Sequence, residues 1–267
     1  MTNYYKSDPW IFAVVLCGSL ARGQGVAGSC IDLVVFVKPQ YYTIFFDAKK
    51  TRKRIAGYSR MGGKIHCSGG VIRGNRKGQE WERTIKFNDI RVDLAFVSDV
   101  PRSRDQFGIC MDGFELEIGN DFVYCLPLYE RDDTYKSLAR KYLPYYGDDI
   151  RKERLEATRK EFEDRIKKAK WLAERGLLFN ALSTLQFSSK IFLQHLFIKR
   201  RVYPIKYDKW VKYQIVDILH EPELYKKLVE IHTIPKLTNK FLMAKADLLH
   251  NLMQKYGDKY QINYSKN

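Results

Sequence analysis

Ile11 to Val37 reads IFAVVLCGSLARGQGVAGSCIDLVVFV. Its first part, Ile11 to Leu16, is a short apolar run rich in Ile, Phe and Val, the pattern of a buried strand. Gly18-Ser19 stops it, because glycine takes turn geometry and leaves backbone N–H groups free. A second buried strand, Ile31 to Val37, follows with one acid, Asp32, in an otherwise apolar run. A carboxylate there is costly unless it meets a partner or a metal ion, so Asp32 is the most informative residue of the stretch.

Arg91 to Val97, RVDLAFV, repeats the pattern: Asp93 is a lone acid between Val92 and Leu94. An ion pair with Arg91 or Arg83 satisfies Asp93 on one reading, and a metal ion on the other. Two acids embedded in strands of one small domain weigh toward the metal.

The 267 residues suffice for one large domain or two small ones with an ample core. Net charge is +16, from 47 Lys and Arg against 31 Asp and Glu, which favours a polyanionic partner or a phosphate-bearing substrate. A well-solvated basic surface is the plainer account of the same numbers. The five cysteines are odd in number and form no C-x-x-C, which fits a reducing setting and no zinc site. MTNYYKSDPW does not have the form of a signal peptide, and no apolar run approaches membrane-spanning length. The expected location is cytoplasmic, with no membrane partner.

After Pro39, Tyr41 to Tyr58 is predicted as a helix with Tyr42, Phe45 and Phe46 on its buried side. Its run Lys49 to Arg54 puts five cations in six residues, either a solvated face or a hold on triphosphate or RNA. Lys64 to Ile72 and Trp81 to Phe87 read as strands around the turn Gly74 to Gly78, and Asn88-Asp89 as a hairpin turn. Phe122 to Leu128 reads as an edge strand. Beyond Tyr135 the pattern is helical, with Leu155, Phe162, Ile166, Ala169 and Ala173 on one stripe. The helix from Leu178 is apolar on several sides, Phe179 included, and is expected to be central. Asp208 to Leu219, Glu221 to Ile231 and Lys236 to Tyr256 complete a bundle. The expected class is α+β: a mixed β-sheet with flanking helices (residues 1–130), then an all-α helical bundle (residues 131–267).

Gly18-Ser19, Arg22-Gly23 and Ser29-Cys30-Ile31-Asp32-Leu33, with an apolar–acid–apolar strand later on, resemble the DNA polymerase β-like nucleotidyltransferases. The antibiotic and minimal nucleotidyltransferases belong there, some with a C-terminal helical bundle that helps bind the acceptor. The resemblance implies a metal-dependent enzyme moving a nucleoside monophosphate from a nucleoside triphosphate such as ATP to an acceptor. Asp32 and Asp93 would be the catalytic acids and hold Mg2+ or Mn2+, and Gly18 and Ser19 would cradle the triphosphate. Arg22 is a candidate phosphate clamp. The acceptor is a small molecule, a protein side chain, RNA or another anion. The family's first acid falls on Cys30, and sulfur replaces a magnesium ligand poorly. That departure leaves three readings: slow catalysis on one metal, a substitute carboxylate such as Asp47 or Asp89, or an inactive protein that still binds nucleotide or RNA. A toxin–antitoxin type interaction protein is a further alternative.

The spacing Gly23-x-Gly25-x-x-Gly28 also fits a dinucleotide fingerprint, but a strand begins too soon after Gly28 to leave room for the helix it needs. The five histidines are scattered, and His195 reads as a packed core residue.

Overall fold

The computed structural model describes residues 1–45, 48–67, 83–98 and 113–257. In chain order, α1 (Thr2–Lys6), β1 (Ile11–Cys17), α2 (Gly18–Ala21) and β2 (Ile31–Val37) open the fold. They are followed by α3 (Tyr42–Phe45), α4 (Ala48–Arg60), β3 (Gly63–Cys67), β4 (Arg83–Phe87) and β5 (Ile90–Val97). Next come α5 (Phe114–Ile118), β6 (Leu126–Glu130) and α6 (Thr134–Arg140). The described strands form one sheet of order β3-β4-β5-β2-β1-β6. Only β2 and β5 run parallel; the other neighbours are antiparallel.

The central strands are apolar on both faces, and each face finds a different cover. Val14, Leu33, Val35, Leu94 and Phe96 pack with Tyr5 of α1, Tyr42 and Phe45 of α3 and Tyr58 of α4. The buried Tyr5 and Tyr58 hydroxyls satisfy one another at 2.6 Å. On the other face Phe36 meets Phe122 and Tyr135, whose rings stack with centroids 5.3 Å apart. Asp32 and Asp93 alternate with Leu33 and Leu94 along their strands and so share this second face with Val34 and Ala95.

The α+β class expected from the sequence is the class observed, and several local expectations need correction. Phe122 belongs to a helical turn, Gly119–Val123, because its ring fills the space beside Phe36. The edge strand therefore starts later, at Leu126, and an edge position tolerates Pro127, which has no N–H to give to a ladder. The predicted helix over residues 41–58 begins as a 3-10 turn, Pro39–Tyr41, and is helical in α3 and in α4, with residues 46 and 47 outside the described residues. Phe46, the turn Gly74 to Gly78 and the outer parts of the two strands around it lie outside the described residues. Asn88, at φ 52°, turns β4 into β5 as expected.

The basic run is not a uniform solvated face. Arg54 is 5% exposed, its guanidinium lies 3.8 Å from the centre of the Phe45 ring, and it donates to the Phe45 carbonyl and to Thr51 Oγ1. Arg54→Ala is expected to lower unfolding free energy in urea by about 2–4 kcal/mol, through a lost buried donor and a cavity. Arg52→Ala, at an exposed position on the same helix, is expected to change it by less than about 0.5 kcal/mol.

The chain divides into two compact units, the first ending at Pro144 and the second resuming at Tyr145. The first unit thus runs past residue 130 and includes α6. The second contains α7 (Asp148–Glu174), α8 (Leu178–Arg200), α9 (Pro222–His232) and α10 (Asn239–Leu252). Gly176, at φ +73°, makes the tight turn between α7 and α8, which pack on each other, with α10 on both. Phe162, Ile166, Ala169 and Ala173 are buried as expected, whereas Leu155 is only partly so. Arg154 and Thr158 take the buried positions of that end, and Thr158 Oγ1 lies 2.9 Å from Nδ1 of the buried His195. That contact makes His195 the packed core residue expected. Helix α8 is buried through Ile191 to Ile198, but Phe179 is 80% exposed at its first turn. The helix expected from Asp208 starts only after Trp210, whose positive φ of 58° is incompatible with helical backbone. Buried Gln214 holds the preceding loop, accepting from Ile205 N and donating to the Lys206 and Lys209 carbonyls. No helix among the described residues is long and apolar enough to cross a membrane.

Candidate functional site

The acids meet through strand register. Asp32 on β2 is the direct partner of Asp93 on β5 in the parallel ladder, and Cys17 of β1 is the partner of Asp32 on the other side. Residues directly opposite share a face, so Asp32 and Asp93 project together. Two-residue alternation adds Cys30 to the same side, as the chain enters β2. Ligand atoms of Cys30, Asp32 and Asp93 all lie within 4.8 Å of one another. Among the described residues these form the one group of this kind. Asp89 lies exposed at the β4–β5 turn and does not join them, and Asp47 lies outside the described residues.

Gly18 is the turn that lets this happen. It sits at φ +71°, and a Cβ built on it would fall 1.8 Å from Asp32 Oδ2. Glycine is therefore required twice, for left-handed backbone and for direct approach to the carboxylate. Ser19 follows in α2, and its carbonyl accepts from Gln24 N at 2.8 Å. Arg22 ends α2 and donates from Nε to Gln24 Oε1 at 3.2 Å, so at least part of its guanidinium braces the loop.

Each acid has a donor. The Cys30 thiol donates to Asp32 Oδ1 at 3.2 Å. Burial first, then this bond and the charges of Asp32 and Asp93, push the Cys30 thiol up to about 11, so it is protonated at neutral pH. Arg91 caps Asp93: Nε lies 2.9 and 3.0 Å from the two carboxylate oxygens and Nη2 2.5 Å from Oδ2. Asp93 raises the already high pKa of Arg91 further by hydrogen bond and charge. Burial foremost, then the Asp121, Cys125 and Asp32 charges, hold the Cys17 thiol well above its usual range, while Arg22 opposes them.

The donor set fits a hard divalent cation in part. Two convergent carboxylates are the ligands magnesium and manganese take, with water or phosphate oxygens filling the remaining positions. A neutral thiol is a poor ligand for either, and here its S–H is engaged as a hydrogen-bond donor to Asp32. Cys30 thus behaves as a hydrogen-bond donor to one of the two acids, a role that the residue type alone does not suggest. The i, i+2 spacing of Cys30 and Asp32 is the signal the sequence offers for it.

The second unit holds a cavity of about 480 Å³ lined by Leu193, Tyr207, Val211, Tyr225 and His232, with the Lys190–Asp208 ion pair (2.6 Å) in its wall. Burial lowers the His232 pKa.

No known protein family matches the sequence, and no curated protein matches it. Among solved structures, the chain is similar to a nucleotidyltransferase-like protein from Exiguobacterium sibiricum, at 13% identity and a TM-score of 0.46, covering 97% of this chain and 74% of that one. It is also similar to an aminoglycoside 6-adenyltransferase from Bacillus subtilis, at 13% identity and a TM-score of 0.36, covering 96% and 86%. At these scores neither likeness assigns an activity or a substrate to this chain.

Proposed function

We propose that the protein transfers a nucleoside monophosphate from a nucleoside triphosphate to an acceptor, with Asp32 and Asp93 holding a divalent cation. The observation that carries this reading is the in-register pairing of the two acids on parallel strands, with Gly18 against one of them. Two carboxylates of this kind suit magnesium or manganese, whose contribution when bound is to offset negative charge on the phosphoryl oxygens. Gly18 and Ser19 hold the triphosphate through backbone N–H groups and the Ser19 hydroxyl. Arg22 adds positive charge at the turn. The acceptor oxygen attacks the α-phosphorus, the bond to the bridging oxygen breaks, and pyrophosphate leaves. Positive charge, net +16 over the whole chain, favours an anionic acceptor such as RNA as well as the triphosphate itself.

Cys30 supports a second reading, nucleotide binding without transfer, because it brings no third oxygen to the acids. One substitution separates the two. Cys30→Asp is expected to tighten Mn2+ binding about tenfold or more and to raise Mg2+-dependent pyrophosphate release from a panel of triphosphates. Tighter Mn2+ binding with no pyrophosphate released by either protein favours binding without transfer. Unchanged Mn2+ binding counts against a metal at these acids.

A further inference from the structure

Asp93 is 7% exposed, and the arginine that spans its carboxylate is far more open to water. Arg91, two residues earlier on β5 and on the same face, spans both oxygens of Asp93 while its own side chain is 54% exposed. The fork geometry is that of a charge-assisted pair, among the stronger hydrogen bonds a carboxylate makes. It also takes up part of the acceptor capacity that the Asp93 carboxylate would offer a metal ion.

We infer that Arg91 is a built-in counter-ion that competes with the divalent cation for Asp93 and yields to it when a triphosphate arrives. This rests on the metal reading of Asp32 and Asp93. Charge arithmetic shows why the exchange is balanced. Asp32 and Asp93 carry two negative charges, and Arg91 brings that pair to one. A divalent cation added beside Arg91 makes the group net positive, whereas one added in its place makes it neutral. Neutrality is the favoured state for partly buried groups. Because Arg91 is half in water, moving it off Asp93 exposes it further at little cost, while a cation that takes its place keeps positive charge beside the buried carboxylate. An incoming triphosphate gives the released guanidinium a new anionic partner of suitable shape. Cation and nucleotide therefore bind together better than either does alone.

The test is titration of the full chain with Mn2+, reading free Mn2+ by electron paramagnetic resonance, with and without a non-hydrolysable triphosphate. Arg91→Met is expected to bind Mn2+ alone about tenfold or more tightly than the native chain, since a competing cation is gone. Its affinity should then depend less on the triphosphate. Arg91→Lys, which keeps the charge and loses the fork, should fall between the two and guards against an effect of lost packing. Equal or weaker Mn2+ binding by Arg91→Met, while Asp32→Asn weakens it, overturns the role of Arg91 and leaves the metal reading standing. Mn2+ binding by none of these proteins, or binding indifferent to Asp32→Asn, removes the metal reading and the role of Arg91 with it.

Discussion

Asp32→Asn is expected to reduce divalent-cation affinity and any metal-dependent pyrophosphate release by at least about a hundredfold, with the fold retained. The reasons are geometric and electrostatic. Asp32 faces Asp93 directly across the only parallel ladder of the described sheet, so each carboxylate is the other's nearest alternative ligand. Asparagine keeps the shape, and its carbonyl oxygen can still accept the Cys30 thiol proton that Asp32 Oδ1 accepts now. What disappears is one of the two charges that attract the cation. Stability in urea should stay the same or rise slightly, because removing a like charge from beside Asp93 leaves Asp93 matched by Arg91. The measurements are Mn2+ titration, pyrophosphate release and urea unfolding on the same preparation. Loss of cation binding together with loss of fold would leave a structural role for Asp32. Full activity in the variant would end the two-carboxylate reading outright.

Gly18→Ala carries the second large effect, on stability and on the site at once. Left-handed backbone costs a non-glycine residue about 1–2 kcal/mol by itself. At Gly18 the added methyl would also stand 1.8 Å from Asp32 Oδ2 and 2.7 Å from its Cγ, so the carboxylate must move. The expected outcome is a loss of about 2–4 kcal/mol in urea unfolding together with loss of Mn2+ binding. Gly23→Ala is the matched control. Gly23 also has a positive φ, +69°, but nothing lies within 4 Å of the point where its Cβ would stand. Only the backbone cost of about 1–2 kcal/mol applies there, and Mn2+ binding should survive. If the two variants behave alike, the approach of Gly18 to Asp32 has no consequence for the site.

Much of the first half is legible in the sequence because its signals are local. Ile11 to Val37 announces two buried strands by composition alone, and Asp32 and Asp93 stand out because an acid in an apolar strand needs a reason. The helical stripe at Phe162, Ile166 and Ala169 follows from spacing in the same way. Leu155 and Phe122 depart from expectation for one cause. Where an element begins or ends, and what is buried there, depends on what packs against it, and Thr158 with His195, or Phe36 with Phe122, are contacts between distant stretches. Arg54 shows the converse: a cation in a basic run reads as solvated until the Phe45 ring beside it is known.

The residues by themselves determined most of the segments that become strands and helices, that the turn at Gly18 is sharp, and that two carboxylates must be accommodated among apolar neighbours. Those are properties of short windows, where periodicity and backbone sterics act without reference to the rest of the chain. Only the tertiary structure decided that β2 and β5 lie side by side, parallel and in register, with Arg91 on one acid and the Cys30 proton on the other. A shift of one residue in that ladder would have sent the acids to opposite faces of the sheet, and register between strands so far apart in sequence is set by the packing of both faces together.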